Sequence, residues 1–319
     1  MARPLRIVYR GAFYHVAARG NERRKIFLSG ADYAKFLAYL GDALCKYGVV
    51  LHAYALMGNH YHLVVETPEA NLSAFVHALN SAYTTYFNVK RKRWGHLFQG
   101  RYKSIVIEKD AYLVELSRYV HLNPVRAGVV QKPEDYGLSS YRSYLLPKEE
   151  TIVSRELIWG MISRSRKEAP QRYKDFVESA LSEPPPNPFE NVYGGSILGT
   201  APFVKDVLKQ AADAIPRNET AQKRVLSSTL RVDDVIHFLS RYFGMPEDAV
   251  LHTSPYRAYA LYLARKHTPT SSADIGRYFA VTCSAVSKMG TRLKRRMESD
   301  PKLSGEMRRI EEGLSHVNG

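Results

Sequence analysis

Prolines occupy four of the five positions at 184–188, and they limit what the chain can form there. Proline lacks a backbone N–H and its ring fixes φ, so neither a helix interior nor a central strand can cross this segment. An extended spacer is expected. The residue patterns differ on its two sides. We predict an N-terminal domain over 1–147, a helical connector over 148–225 with the proline-rich linker at 183–188, and a C-terminal domain over 226–319.

The N-terminal segment changes repeatedly between strand-like and helix-like hydrophobic spacing. Apolar residues alternate in the strand-like stretches and recur every three or four residues in the helix-like ones. The order is strand (7–18), helix (31–47), strand (49–57), strand (61–66), helix (71–88) and strand (102–107). This order is typical of a ferredoxin-like split βαβ domain with an antiparallel sheet, so the predicted fold class is α+β.

A third helix is predicted after the last of these strands. Asp110 is a candidate N-cap, and Pro124 should end the helix because the residue before a proline avoids helical backbone angles. Residues 155–181 also have a helical pattern.

The C-terminal segment is helical in pattern throughout, which predicts an all-α domain. The predicted helices are 232–243, 255–266, 272–279 and 282–296. Gly244 can end the first of them in a left-handed conformation, and Thr282 can cap the last. A short helix, a turn and a second helix rich in Ser, Lys and Arg match the helix-turn-helix plan for reading a DNA major groove.

The charge balance favours a polyanionic partner. The chain has 46 Lys and Arg against 31 Asp and Glu, a net charge of +15, and the basic excess lies toward the two ends. No apolar run reaches the length of a membrane span, so we expect a cytoplasmic, nucleoid-associated protein. Only Cys45 and Cys283 are present, which argues against a disulfide scaffold or a cysteine zinc site.

Two histidines spaced for one strand face are the sharpest chemical feature. His60 and His62 are two residues apart on a predicted strand, so both point to the same side and could share one cation. Tyr119 and Asn123 are four apart on the predicted third helix and lie on one helix face. A histidine pair alone more often has a structural role, and a helix tyrosine is usually packed; only their combination indicates a site.

Three separated motifs resemble the HUH single-tyrosine transposases, particularly the group associated with repetitive extragenic palindromes (REP). The resemblance spans 5–146. The first motif, near the start, comprises Tyr14-His15-Val16 and Arg19-Gly20-Asn21 with Ile26-Phe27; the second is His60-Tyr61-His62, and the third is the stretch from Tyr119 to Gly128. One departure is Tyr61, which stands where an aliphatic residue is commoner and faces the predicted core.

The resemblance implies a metal-dependent endonuclease and strand transferase acting on single-stranded, hairpin or repeat-associated DNA. His60, His62 and Asn123 would bind Mg²⁺ or Mn²⁺, and Tyr119 would attack phosphorus to form a 5′-phosphotyrosine. Tyr112 is the alternative nucleophile. Two other readings stay open: a DNA-binding regulator that has lost turnover, and a metal phosphodiesterase that uses activated water. If two DNA ends must be cut, one nucleophile per chain favours a homodimer.

Basic residues with an interleaved aromatic are the predicted DNA contacts, since basic side chains bind phosphates and aromatic rings stack on bases. Arg118 is a candidate helper for the nucleophile. The predicted contacts are Arg19, Asn21, Arg91, Arg93, Trp94, Arg101, Lys103 and Arg118.

Residues 232–296 resemble the origin-binding helix-turn-helix domain of the replication initiator DnaA. The likeness is carried by the stretch from Tyr256 to Arg265 and by Ile275 to Phe279. It implies duplex DNA as a second partner. Residues 282–287 depart from the family's base-reading stretch, so its target sequence does not carry over. The predicted groove or phosphate contacts are Ser284, Ser287, Lys288 and Arg292.

Overall fold

The computed structural model describes residues 7–146, 151–211, 230–270 and 272–316. The chain divides into two compact units. We call residues 6–191 with 197–205 the sheet unit, and residues 192–196 with 206–319 the helical unit. The predicted domain limits near 147 and 225 lie outside the described residues and stay predictions.

The sheet unit is a mixed α+β structure. Its strands are β1 (Ala12–Arg19), β2 (Val50–Met57), β3 (His60–Thr67), β4 (Lys103–Ile107) and β5 (Ile197–Leu198). The sheet order is β2-β3-β1-β4-β5; the first four are antiparallel to their neighbours, and β5 is parallel to β4. The helices are α1 (Gly30–Tyr47), α2 (Leu72–Lys90), α3 (Lys109–Arg126), α4 (Tyr141–Leu145), α5 (Glu156–Ile162) and α6 (Ala169–Ser182). A further helix, α7 (Ala201–Ala211), begins in this unit and continues past its limit at residue 205.

One face of the sheet forms the main core with α1 and α2. Tyr61 of β3 is fully buried, and its ring lies 5.0 Å from that of Phe36 in α1. Phe36 also packs edge-on against Tyr83 of α2, at 5.1 Å. The period of two then directs His60 and His62 to the opposite face. There α3 packs on β2 and β3.

Several predicted boundaries are wrong for identifiable reasons. β1 begins at Ala12 rather than at residue 7, because Gly11 turns the chain with φ +71° just before it. Glu108, not Asp110, is the N-cap of α3, and Pro124 lies inside that helix rather than ending it. A proline in the last turn costs one helical hydrogen bond, and the helix closes two residues later, just before Gly128 at φ +67°.

The helical unit has its own apolar core. Its helices are α8 (Val232–Phe243), α9 (Glu247–His252), α10 (Tyr256–His267), α11 (Ser272–Tyr278), α12 (Cys283–Ser299) and α13 (Pro301–His316). Val235, Leu263, Val286 and Ile310 are among its buried residues. The predicted cap is confirmed, since Thr282 Oγ1 accepts a hydrogen bond from the Ala285 N–H at 3.2 Å. The sequence patterns missed the helices α4, α7, α9 and α13 and the strand β5.

The helices in the described ranges include none that could cross a membrane, because none combines enough length with enough apolar character.

Candidate active site

The site face of the sheet is set by the register of β1 and β3. Ala17 lies opposite His62, and Arg19 lies opposite His60. His15 is two residues before Ala17 and therefore projects to the same face as both histidines of β3. Three imidazoles from two neighbouring strands thus lie on the side of the sheet that α3 covers.

His60 is held in one orientation by its neighbour in the turn. Its Nδ1 lies 2.6 Å from Asn59 Oδ1, and Asn59 Nδ2 donates to the backbone oxygen of Arg23 at 3.0 Å. The second bond fixes the amide, so Oδ1 is the atom that faces the ring. A carbonyl oxygen only accepts, so His60 Nδ1 carries the proton and Nε2 keeps its lone pair.

His62 has a buried partner on the adjacent strand. Its Nδ1 lies 2.9 Å from His15 Nε2, and the two rings are stacked with centroids 5.1 Å apart. The rings of His60 and His62 are 4.9 Å apart and nearly perpendicular. Within the part of the chain that the structure describes, Nε2 of neither His60 nor His62 has a hydrogen-bond partner.

Tyr119 of α3 lies beside this pair of strands. Its half-buried ring is 6.3 Å from the ring of His62 and 6.3 Å from that of His15. One turn later, Asn123 Nδ2 donates to the Tyr119 carbonyl at 3.0 Å, which leaves Asn123 Oδ1 without a partner among the described residues. The Arg126 guanidinium lies 4.8 Å from the centre of the Tyr119 ring.

Burial keeps the three histidines neutral at pH 7. It lowers the pKa of His15 to about 3, with a smaller effect of the Lys103 charge, and that of His60 to about 4, with a smaller effect of Arg19. The pKa of His62 lies well below its ordinary value, through burial first and then its two histidine neighbours. Neutral imidazoles are the form that binds a cation.

The donor set fits an open cation site. Two imidazole nitrogens and one amide oxygen are available, which suits a divalent ion that keeps further positions for phosphate or water. No group of three His, Cys, Asp or Glu side chains in the described ranges is arranged to hold a metal. A cation here therefore needs an oxygen from the Asn123 amide or from a substrate.

The proline-rich segment forms a wall next to Tyr119. Phe189 packs edge-on against the Tyr119 ring at 4.9 Å and lies 4.7 Å from the His15 ring. A cavity of about 200 Å³ lies between α3, the end of α6 and this segment. Its lining includes Arg118, Tyr119, Arg126, Pro184, Pro186 and Pro188.

The loop after α2 carries three of the predicted DNA-contacting residues, and one of them is already paired with a buried carboxylate. Arg91 is paired with the buried carboxylate of Asp32, at 2.6 Å. Arg93 Nη2 donates to the His96 carbonyl at 3.2 Å. Trp94 is 92% exposed, with no local packing to explain an indole in that position.

An open groove of about 480 Å³ runs between α2 and the end of this loop. Arg101 lines this groove and is exposed. Lys103, at the start of β4, is also exposed. Arg19, the last residue of β1, and Asn21, which follows the strand, are exposed, and the Asn21 N–H donates to the Leu97 carbonyl at 2.9 Å.

Arg118 turns toward α6 rather than toward the Tyr119 ring. Its guanidinium lies 4.2 Å from the Phe176 ring and pairs with Glu115. Arg126 takes the position over the Tyr119 ring. Glu66, near the other end of β3, faces His52 of β2, with its Oε2 3.4 Å from His52 Nε2.

Three side chains that the structure places at this site received no site role from the sequence. His15 could have been found from its strand face, and Arg126 from its place two helical turns after Tyr119. Phe189 gives no local signal, because its contact depends on how the segment after α6 folds back.

Only part of the predicted duplex-binding surface is described. Lys288 and Arg292 are exposed on α12. The backbones of Ser284 and Ser287 belong to the same helix, but the placement of their side chains lies outside the described residues.

Comparison with known proteins points to transposases. Residues 9–123 match the sequence profile of the family described as IS200-like transposases, and this range contains His60, His62, Tyr119 and Asn123. No curated protein matches the chain. A solved REP-associated tyrosine transposase bound to a REP hairpin is 16% identical, with a TM-score of 0.42, over 48% of this chain and 91% of that one. A Deinococcus radiodurans R1 protein described as a candidate transposase is 18% identical, with a TM-score of 0.27, over 42% of this chain and 97% of that one.

Proposed function

We propose that the sheet unit is a metal-dependent, HUH-type endonuclease and strand transferase that acts on single-stranded or hairpin DNA beside repeats. Tyr119 is the nucleophile, and His60, His62 and Asn123 hold Mg²⁺ or Mn²⁺. The observation that carries the proposal is the 6.3 Å approach of the Tyr119 ring to His62, at a histidine pair whose two Nε2 atoms lack protein partners in the described ranges. The match of residues 9–123 to IS200-like transposases supports it.

The chemistry is a direct exchange of one phosphate ester for another. The Tyr119 oxygen forms a bond to phosphorus as the bond to the DNA 3′-oxygen breaks, which leaves a 5′-phosphotyrosine and a free 3′-hydroxyl. A bound divalent ion would polarise and orient the phosphate as a Lewis acid. The ester bond is conserved in the adduct, so a second 3′-hydroxyl can reverse the step without ATP.

One cationic side chain lies over the ring of the proposed nucleophile. A free phenol has a pKa of about 10 and is a poor nucleophile at pH 7 unless positive charge or a base assists. The Arg126 guanidinium, 4.8 Å from the centre of the Tyr119 ring, is the positive charge proposed to assist the reaction. Asn123 Nδ2 holds the backbone of the same turn, so its Oδ1 stays available as a ligand.

The fold of the sheet unit is proposed to be ferredoxin-like. The order β2-β3-β1-β4, with α1 and α2 on one face, supports that assignment. In such an arrangement the two central strands are neighbours, which is what brings His15 next to His62.

A cleavage assay with covalent capture tests the function. Labelled single-stranded hairpin DNA is incubated with the full chain and Mn²⁺, and mass spectrometry locates the modified residue. We expect an adduct on Tyr119 that disappears in Tyr119→Phe and persists in the matched control Tyr112→Phe. An adduct on Tyr112 would move the nucleophile, and none at all, with DNA still bound, would favour the regulator. Nicks that survive Tyr119→Phe would favour a water-activating phosphodiesterase.

The helical unit is proposed to bind duplex DNA through a DnaA-like helix-turn-helix. α11 and α12 pack against each other, and α12 presents Lys288 and Arg292 to solvent. Replacing both with Gln should weaken duplex binding and reduce its salt dependence, because each phosphate contact releases counterions. Unchanged duplex affinity in that variant would contradict this role. The proposed assembly is a homodimer when two DNA ends are cut, which light scattering with and without DNA measures.

A further inference from the structure

The deepest feature of the candidate site is the contact between two imidazoles, His15 Nε2 and His62 Nδ1, at 2.9 Å. Both residues are buried: His15 is 5% exposed and His62 9%. His15 is not one of the proposed ligands, and it lies one strand away from them. Two neutral imidazoles can share this bond in either direction, and the direction determines what His62 can do.

The two directions give His62 opposite capacities. When His62 Nδ1–H donates to His15, the lone pair of His62 lies on Nε2, which has no hydrogen-bond partner within the described ranges. When His15 donates instead, the proton of His62 sits on Nε2 and blocks a cation there. Ligand histidines in proteins generally donate their other N–H to a nearby acceptor, which fixes both the tautomer and the ring orientation.

His60 shows the same arrangement with an unambiguous acceptor. Its Nδ1 faces Asn59 Oδ1, and the bond from Asn59 Nδ2 to Arg23 fixes which end of the amide faces the ring. Each histidine of the pair therefore has a hydrogen-bond partner at Nδ1 and, within the described ranges, none at Nε2.

We propose that His15 is a positioning residue that accepts the Nδ1 proton of His62 and so presents His62 Nε2 to the cation. This inference rests on the proposed function. His15 acts through His62, and its ring also packs against Phe189, with centroids 4.7 Å apart.

Metal binding by full-length variants tests the proposal without requiring catalysis. Mn²⁺ affinity is measured by electron paramagnetic resonance in wild type, His15→Leu and His15→Gln, with His62→Ala as the ligand-loss control. His15→Leu removes the acceptor and should weaken Mn²⁺ binding by about 10- to 100-fold. His15→Gln places an amide oxygen near the position of Nε2 and should recover much of that loss.

A second measurement reads the tautomer directly in the metal-free wild-type protein. Long-range ¹H–¹⁵N correlation should find His62 protonated on Nδ1 at pH 7. A proton on Nε2, or Mn²⁺ affinity unchanged in His15→Leu but lost in His62→Ala, would overturn the role of His15 and leave the proposed function standing. A wild-type protein that binds no Mn²⁺ would overturn both.

Discussion

Two buried histidine environments in the sheet unit differ in one respect that separates chemistry from structure. His121 of α3 has both ring nitrogens engaged, with Nε2 2.7 Å from Ser140 Oγ and Nδ1 2.6 Å from the Tyr173 hydroxyl. Among the described residues, His62 has a hydrogen-bond partner only at Nδ1, where it meets His15. Burial lowers the pKa of both His62 and His121, so burial does not distinguish them. They differ in that His62 Nε2 has no hydrogen-bond partner within the described residues.

Replacing each of these two histidines with alanine should give the largest difference between them, measured as the rate of covalent adduct formation. His62→Ala should reduce covalent adduct formation by at least about 1,000-fold, because the cation contributes several kcal/mol to the transition state. His121→Ala should leave the adduct rate of the folded protein near that of wild type. Timed adduct formation at saturating Mn²⁺ measures both, and equal losses in the two variants would show that the distinction is wrong.

The stability of the same variants should move in the opposite order. His121→Ala removes one hydrogen-bond partner from each of two buried hydroxyls and should lower the free energy of unfolding by about 2 kcal/mol, since Ser140 Oγ keeps its bonds to Tyr54 and the Tyr173 hydroxyl keeps its bond to Ser117. His62→Ala should cost less, since its Nε2 has no partner in the described residues to lose. Urea denaturation without metal measures the difference.

Asp32 is a buried charged residue that, like His121, has hydrogen-bond partners at both of its polar side-chain atoms. It is completely buried, and its carboxylate accepts from Lys90 at 2.8 Å and Arg91 at 2.6 Å. Burial would raise its pKa, but these bonds and those from backbone N–H groups hold the pKa at about 2. Asp32→Asn leaves a partly buried arginine without its counter-charge and should cost about 3 kcal/mol.

The acid limb of the unfolding curve provides a check on Asp32. Its folded pKa lies below the ordinary value, so its contribution is complete above about pH 4 and is lost as the pH falls toward about 2. Asp32→Asn should therefore flatten the loss of stability in that range. An unchanged acid limb in the variant would mean that the pairing contributes little.

The buried histidines predict a second pH dependence, at milder acidity. The pKa of His121 is lowered to about 3 in the fold, whereas the unfolded chain takes up the proton near its ordinary value of 6.5. Stability is therefore present above pH 6.5 and falls on acidification, by about 2 kcal/mol per such histidine at pH 5. His121→Gln should show a smaller drop between pH 7 and pH 5 than wild type in urea unfolding. An identical drop would contradict the pKa direction.

Phe189 gives the smallest expected effect. Its ring touches Tyr119 and His15 but fills no core, so Phe189→Ala should change stability by about 1 kcal/mol or less. It should speed nitration of Tyr119 by tetranitromethane, because the ring that packs edge-on against Tyr119, beside its cavity, is removed. Leu181→Ala, at an exposed residue of the same cavity lining, is the matched control. Equal nitration rates in wild type and Phe189→Ala would show that the ring does not shield Tyr119.

Local patterns predicted the framework well and the site in part. The period of two placed His60 and His62 on one face, and helical spacing placed Tyr119 beside Asn123, because both periodicities are properties of the chain itself. Arg91 could not be predicted to pair with Asp32, since 59 residues separate them and only the packing of α1 on α2 brings them together. Pro124 was wrongly predicted to end α3, because the free-energy cost of a proline in a helix depends on its distance from the helix end.

The ion pairs at Asp32 also have a consequence for the loop that carries Trp94. They anchor the end of α2, where the loop leaves, and the bridge between Gly20 and Phe98 anchors the other stem. The indole is thus exposed at the tip of a short span whose ends are already fixed. A nucleic-acid base stacking on it would meet a pre-organised platform, so less conformational freedom would be surrendered on association than with an untethered arm.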